Sequence, residues 1–492
     1  MSLHASQLKS PEPSLELALA AADHAQAASP TETAAAFQRA QSYLTVAKYL
    51  QATSPAKVEA RRKMIDAAIA NGNQASLAHP EESEPYRVTG EAYLLKAGLL
   101  SQASDPAGFE SIMDQAEVLI NKAISKDSQN LSLYASLLNL YRTKANRALA
   151  AGADPTPISE EGITASAPPE SKNSHNEYLV QHLLINLTLA RYNLDHGRNS
   201  EKIVSDELAQ VRFYQKSKDY RVQTILGSLY CVQALYCLDA KCDVDKLLGE
   251  AQRYAAESKA SSPQPWHRAY IVSLWTYAIK ALSYAQRKQD PKEVIAAGLT
   301  AAADCLAHSH EDPTCYTHQA TLRLVEAQWR LVHGKSPEEA LKRAGEVAGR
   351  ALDRALDNQR YEALLVMARV HYTAALAQTQ ASRPLPGKVA DSVDAGLEAI
   401  GRGLDSRRDR PLAVALKGCL WLLRGKLART AAERSAALGQ ADELLMQALA
   451  KNPLLESVYA SEVAAIGALR QSAPAGHAGA TGQHRSPRAA AR

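Results

Sequence analysis

Regularly spaced helix breakers limit this chain to a series of short helices. Breaking signals recur about every 15–25 residues, and the segments between them carry apolar residues at steps of three or four, as in residues 322–332. Asp105-Pro106 and Asp312-Pro313 each place a capping residue directly before a proline, an order that favours a helix start with proline as its first residue. No stretch sustains the alternation of a strand. The sequence therefore predicts an all-α fold of about nineteen helices.

Composition excludes several functional classes. The chain has 492 residues, more than the ~250–300 at which a single core stops growing, so several domains or an extended solenoid are expected. A net charge of +4 is too small to predict nucleic-acid binding. No apolar run reaches the ~20 residues of a membrane span, and residues 1–11 do not resemble a signal peptide. Six cysteines do not make a disulfide framework in a chain this long, so a cytoplasmic protein with free thiols is expected.

Small and large residues alternate along the helices in the pattern of tetratricopeptide repeats. Such a unit is a helix–turn–helix of about 34 residues, in which small residues let paired helices approach closely. The residues that fit are Ala441, Leu445, Ala448 and Pro453; Ala116, Ile120 and Ala123; Tyr134, Leu137 and Tyr141; Tyr86, Gly90 and Tyr93; Leu226, Gly227 and Tyr230; and Gly418 and Trp421. The predicted fold is a tetratricopeptide-like α-solenoid, a right-handed superhelix of helical hairpins.

A second internal repeat adds a more specific resemblance. Residues 190–198 and 327–335 share the pattern A-x-aromatic-x-L-x-H-G-basic, which is typical of a helix ending in a glycine cap. With the Asn-Pro-Leu-Leu stretch at 452–455, these motifs resemble the repeats that follow the kinase domain of many bacterial serine/threonine protein kinases. The likeness is best over residues 176–205, 315–357 and 388–460. It implies a docking or sensing module linked to kinase signalling.

The sequence predicts no catalytic residues and no cofactor. A kinase glycine-rich loop, H-R-D and D-F-G are absent, and so are H-E-x-x-H and G-x-S-x-G. The chain is therefore expected to be a non-enzymatic scaffold or adaptor that binds a protein or peptide, with no nucleic acid or membrane among its partners.

Five segments are predicted from the breaks in the pattern: an N-terminal helical segment (1–30), N-terminal repeats (31–150), a flexible loop (151–175), C-terminal repeats (176–471) and a disordered tail (472–492). In tetratricopeptide geometry, certain first-helix positions face the concave groove. Counting from the aromatic residues, the groove candidates are Arg87, Glu91, Asn139 and Arg142, whose side chains suit hydrogen bonding to a peptide.

Two alternative functions remain open at this stage. A small ligand would need a deep pocket, with Trp266, Trp275 or Trp329 in its lining. A metalloprotein or enzyme would centre on a cluster around one inter-helix turn, but its spacing matches no zinc motif, so no metal site is predicted. The cluster consists of Cys305, His308, His310, Cys315 and His318.

Overall fold

The computed structural model describes most of the chain as helix. The described residues are 12–28, 34–53, 58–102, 105–168, 176–213, 218–263, 265–309, 312–355, 357–381, 385–407 and 410–471. Their helices are α1 (Glu12–Ala28), α2 (Ala34–Thr53), α3 (Val58–Ala78), α4 (Glu84–Gln102), α5 (Pro106–Lys126), α6 (Leu131–Ala151), α7 (Thr156–Ala165), α8 (Asn176–Asp195), α9 (Glu201–Phe213), α10 (Tyr220–Ala240), α11 (Val244–Ser261), α12 (His267–Gln286), α13 (Lys292–His308), α14 (Pro313–Val332), α15 (Glu338–Arg354), α16 (Asp357–Thr379), α17 (Pro386–Ser406), α18 (Pro411–Leu427), α19 (Ala431–Lys451) and α20 (Leu455–Gln471).

Side-chain caps explain where several of these helices begin. The Asp105 carboxylate accepts a hydrogen bond from the backbone N–H of Gly108 at 2.9 Å, with Pro106 as the first residue of α5. Asp312 caps α14 in the same way. Such caps satisfy N–H groups that have no partner within the helix. The Asp-Pro pairs of the sequence therefore mark helix starts, as predicted.

The helices form two rows, and the even-numbered row is the inner one. From α2 to α20, each even-numbered helix packs against the next even-numbered helix. Each odd-numbered helix from α3 to α19 packs on the even-numbered helices before and after it, and in the part of the chain described here no two odd-numbered helices pack closely together. The odd row is therefore spread wider, and the structure curves with the even row inside. The predicted all-α solenoid is confirmed.

Small residues lie where adjacent helices approach most closely. A Cβ built on Gly90 would lie 2.8 Å from Cγ1 of Ile120, and one on Gly418 would lie 2.9 Å from Cγ of Leu445. All four of these residues were assigned from the repeat pattern. Since a Cβ at either glycine would clash with its neighbour, these positions must stay small for the hairpins to close.

The curvature brings distant hairpins into contact. Arg410, directly before α18, forms a salt bridge with Asp195 at the end of α8. The Asn452 side-chain amide donates hydrogen bonds to the backbone carbonyls of Asp195 (3.0 Å) and Leu194 (3.5 Å). Helix α10 also contacts α20. We call the Asp195–Arg410–Asn452 contact the closure, because it joins two parts of the inner row that are far apart in the sequence.

The predicted loop over residues 151–175 is a helix in part. Helix α7 occupies Thr156–Ala165, and its Gly162 packs so closely on Tyr141 that a Cβ there would lie 2.4 Å from Cβ of Tyr141. Packing on α6 thus stabilises a helix in a proline-rich segment. Residues 169–175 and the predicted tail, 472–492, lie outside the described residues. None of the described helices combines the length and apolarity needed to cross a bilayer.

Candidate functional site

Two predicted groove residues, Arg87 and Glu91, bind each other, and Glu91 also binds neighbouring helices. Arg87 forms salt bridges with Glu91 at 2.7 Å and with Glu84 at 2.6 Å, all within α4. Glu91 also accepts hydrogen bonds from Lys48 Nζ of α2 at 2.6 Å and from Ser136 Oγ of α6 at 2.7 Å. The carboxylate of Glu91 therefore connects three successive inner helices.

The electrostatics of this group keep Glu91 charged. Burial would raise the pKa of Glu91, but the positive charges of Lys48 and Arg87 and the hydrogen bonds from Lys48 and Ser136 bring it down to about 2. Burial likewise opposes the charge of Arg87, and the carboxylates of Glu91 and Glu84 raise its pKa above the ordinary value. These charges neutralise one another, so the group is suited to holding helices together.

The other two candidates, Asn139 and Arg142, lie on α6 and are less constrained. Arg142 Nη2 donates a 2.6 Å hydrogen bond to Asn139 Oδ1. Its Nε is buried and finds no hydrogen-bond partner among the described residues. Burial, followed by the charge of Arg268, lowers the pKa of Arg142 to about 10, and Glu177 opposes that shift. Arg142 remains positive at neutral pH without a carboxylate bound to it.

Two further arginines share the inner face with Arg142. Arg191 of α8 and Arg268 of α12 have solvent-exposed side chains. Neither has a hydrogen bond or salt bridge from its side chain to any residue that the structure describes. The surrounding helices still desolvate both groups enough to lower their pKa values, and Arg407 and Arg268 lower that of Arg191 further. We call Arg142, Arg191 and Arg268 the inner arginine cluster.

Curvature is what brings the inner arginine cluster together. Helix α10 lies between α8 and α12 in the inner row, yet the charge of Arg268 acts on Arg191 as well as on Arg142. The repeat register predicts Arg142 as a groove residue, but it does not single out Arg191 or Arg268. Arg191 lies within the repeated motif at 190–198, which was interpreted only as a helix end, and nothing local distinguishes Arg268 from a surface arginine.

The candidate metal cluster does not assemble. Cys305 and Cys315 form a disulfide between α13 and α14, so their sulfurs are not free thiolates. His308 stacks on Tyr270, His318 stacks on Trp275, and His310 lies outside the described residues. Because zinc needs deprotonated sulfur or free imidazole ligands that converge on one point, the alternative centred on this cluster loses its basis.

The expectation of free thiols is wrong for four of the cysteines. Besides Cys305–Cys315, a second disulfide joins Cys237 and Cys242 at the turn after α10. Cys231 and Cys419 are free and buried. Both disulfides span short turns, and sequence spacing alone cannot distinguish two cysteines bonded across such a turn from two separate thiols. The cysteines therefore do not support a reducing compartment.

The three tryptophans of the small-ligand alternative each pack on a different aromatic neighbour. Trp266 packs edge-on against Tyr220 with ring centres 5.2 Å apart, and Trp329 packs on His333 at the end of its own helix. A cavity of about 10 Å³ at the closure, lined in part by Tyr192 and Arg410, has room for roughly one water. An open depression of about 430 Å³ lies beside the start of α9, and no tryptophan lines it.

Comparison with known proteins does not assign this chain to a family. No family model matches the chain, and no curated protein matches it in sequence. Among the solved structures, one match is the crystal structure of yeast Tom70, with a TM-score of 0.29, 12% sequence identity, and coverage of 88% of this chain and 91% of that chain.

Proposed function

We propose that this protein is a non-catalytic scaffold that holds a segment of a partner protein on the inner helix row. The observation that supports this proposal most strongly is the inner arginine cluster, whose arginines lie on inner-row helices and form no salt bridge with any residue that the structure describes. Solenoids of helical hairpins offer an extended concave surface of this kind. Asn139 and Arg142 lie on the same face, whereas Arg87 and Glu91 contribute chiefly to holding α2, α4 and α6 together.

We also propose that the partner belongs to serine/threonine kinase signalling. The resemblance of the motifs at 190–198, 327–335 and 452–455 to the repeats of bacterial kinases supports this link. Because the chain carries none of the kinase motifs, it would act as the docking part and leave phosphoryl transfer to another protein.

Position-dependent photo-crosslinking tests the scaffold proposal. A photoreactive amino acid replaces Asn139 on the inner row or Lys342, an exposed residue of the outer helix α15. We expect Asn139→photoprobe to form an adduct of discrete mass in source-cell lysate, and excess unmodified protein should abolish that adduct. Equal adducts from both positions, or none from the inner position, would contradict the proposal. Mass spectrometry of the adduct then tests the kinase link, which fails if the captured protein is neither a kinase nor a kinase substrate.

A further inference from the structure

We propose that the inner arginine cluster binds an acidic peptide segment through the carboxylates of its glutamate and aspartate side chains. The proposal rests on the scaffold function above and specifies the chemistry of the partner. Arg142 comes from α6, Arg191 from α8 and Arg268 from α12, and all three helices belong to the inner row.

The inner face offers the arginine cluster no carboxylate at salt-bridge distance among the described residues. Its nearby carboxylates are already engaged: Glu177 binds Arg221 at 2.7 Å, Asp195 binds Arg410, and Glu362 lies 3.6 Å from Arg407. Asp312 accepts a hydrogen bond from the backbone N–H of Thr314 at 2.8 Å. The charges of Glu177, Glu362 and Asp312 act favourably on Arg142, Arg191 and Arg268, but none of these carboxylates forms a salt bridge with an arginine of the cluster.

The arginines of the cluster also oppose one another. Arg268 acts unfavourably on both Arg142 and Arg191, and the buried Nε of Arg142 has no acceptor among the described residues. Like charges in a partly desolvated place are unfavourable until an anion joins them. A bound carboxylate would relieve the repulsion and supply the missing acceptor.

The origin of the cluster on three helices favours a ligand with several carboxylates over a single compact anion. Arg142, Arg191 and Arg268 belong to α6, α8 and α12, and neighbouring helix axes lie about 8–10 Å apart. A phosphate group is bound best by donors that converge on one point. Carboxylates repeated along an extended peptide can instead meet one arginine after another, with each guanidinium free to bind in a bidentate fashion.

The test is fluorescence anisotropy with the full-length protein and a labelled oligoglutamate peptide whose C-terminus is amidated, so that only side-chain carboxylates can bind. The variants are Arg142→Gln/Arg191→Gln/Arg268→Gln and a matched outer set, Lys342→Gln/Arg343→Gln/Arg350→Gln on α15, which removes the same charge. We expect the inner set to weaken binding by about tenfold or more and the outer set to leave it nearly unchanged. An oligoglutamine peptide should not bind.

Thermal unfolding provides a second readout on the same variants. Because the inner arginines repel one another and have no salt bridges, their removal should leave Tm unchanged or raise it, so a loss of peptide binding would not reflect unfolding. A marked fall in Tm of the inner set would show that the arginines serve the fold, and would overturn the inference.

The remaining outcomes also decide the question. Peptide binding that is equal in both sets, or absent from the wild type, would overturn the acidic-segment inference. If inorganic phosphate, at the same concentration as the peptide carboxylates, displaces the peptide, the cluster is a phosphate site and the acidic-segment inference is overturned as well. In each case the crosslink from position 139 judges the scaffold proposal separately, because that adduct does not depend on the charge of the partner.

Discussion

The side-chain amide of Asn452 donates a hydrogen bond to the backbone carbonyl of Asp195, a residue 257 positions earlier in the chain. The Asp195 carboxylate binds Arg410 at the same place. Together these contacts join the last residue of α8 to the start of α18 and the end of α19. In an open solenoid each repeat contacts only its neighbours. The closure therefore limits how far this solenoid can extend, and it fixes the curvature on which the inner arginine cluster depends.

Two glycines of the repeated His-Gly motif allow the closure to be tested. Gly197 and Gly334 have similar positive φ angles, +65° and +67°. A Cβ on Gly197 would lie 2.4 Å from Asn452 Oδ1, whereas a Cβ on Gly334 would meet nothing within 4 Å. Both Gly→Ala changes incur the strain of a left-handed alanine, about 1–2 kcal/mol. We expect Gly197→Ala to destabilise the protein further and to increase its radius of gyration.

The measurements are urea unfolding and small-angle X-ray scattering, with Gly334→Ala as the matched control. The difference between the two variants reports the closure, since the backbone strain is common to both. Equal loss of stability and identical scattering curves would show that the Asp195–Asn452 contact contributes nothing to the shape in solution.

The same motif shows what local sequence could predict. In both copies the histidine Nδ1 hydrogen-bonds a carbonyl of the preceding turn, at 2.9 Å for His196 and 2.8 Å for His333, and the glycine adopts the left-handed conformation. These are properties of a helix end, so the interpretation as a C-terminal cap is confirmed. The contact of Gly197 with Asn452 could not be predicted, because it depends on the accumulated curvature of the hairpins between them.

The candidate site, too, could be predicted from the sequence only in part. Helical periodicity placed Arg87, Glu91, Asn139 and Arg142 on first helices, and the structure puts all four on inner helices α4 and α6. Periodicity could not show that Arg87 and Glu91 would bind each other and neighbouring helices. It also could not show that the charge of Arg268 acts on Arg191 across α10. Helix assignment is local, whereas the availability of a charged side chain depends on which carboxylates the fold brings near it.

Glu91 should make stability depend on pH in the acid range. Its pKa falls from the ordinary 4.5 to about 2 in the folded protein, so its contribution is complete above pH 4.5 and is lost as pH falls toward 2. We expect Glu91→Gln to cost about 3 kcal/mol at pH 7, and about half as much at pH 3. Urea unfolding at both pH values measures this, with the exposed Glu110→Gln as control. A cost that stays constant between pH 7 and pH 3 would rule out the ionic contribution.

The Cys305–Cys315 disulfide should stabilise the hairpin junction between α13 and α14. Its sequence separation is 10, and closing a loop of that size in the unfolded chain contributes about 3 kcal/mol. We expect Cys305→Ser/Cys315→Ser to lower Tm without reductant and to respond less to dithiothreitol than the wild type does. Thiol titration of the unreduced, unfolded wild type should detect only Cys231 and Cys419. Detection of all six cysteines as thiols would contradict both disulfides.

His182, Asn186 and Glu207 form a buried polar group between α8 and α9, and replacing one of them should lower the stability of the protein. Glu207 is only 2% exposed, and its Oε1 accepts a 2.6 Å hydrogen bond from Asn186 and lies 3.1 Å from His182 Nδ1. Glu207→Ala would leave the buried polar atoms of His182 and Asn186 with only their longer contacts to each other, at 3.3–3.4 Å, so we expect a loss of about 3–5 kcal/mol. Urea unfolding measures it, with the exposed Glu201→Ala as control.

Simultaneous replacement should be much less harmful than this single change. In Glu207→Leu/His182→Leu/Asn186→Leu no polar atom of the group remains to be desolvated, so we expect most of the lost stability to return. Recovery in the triple variant would show that the group's strength lies in mutual satisfaction of its members. If the triple variant is instead less stable than Glu207→Ala, the hydrogen bonds stabilise α8 against α9 by more than apolar packing of similar volume can provide, and the expected order of stabilities is wrong.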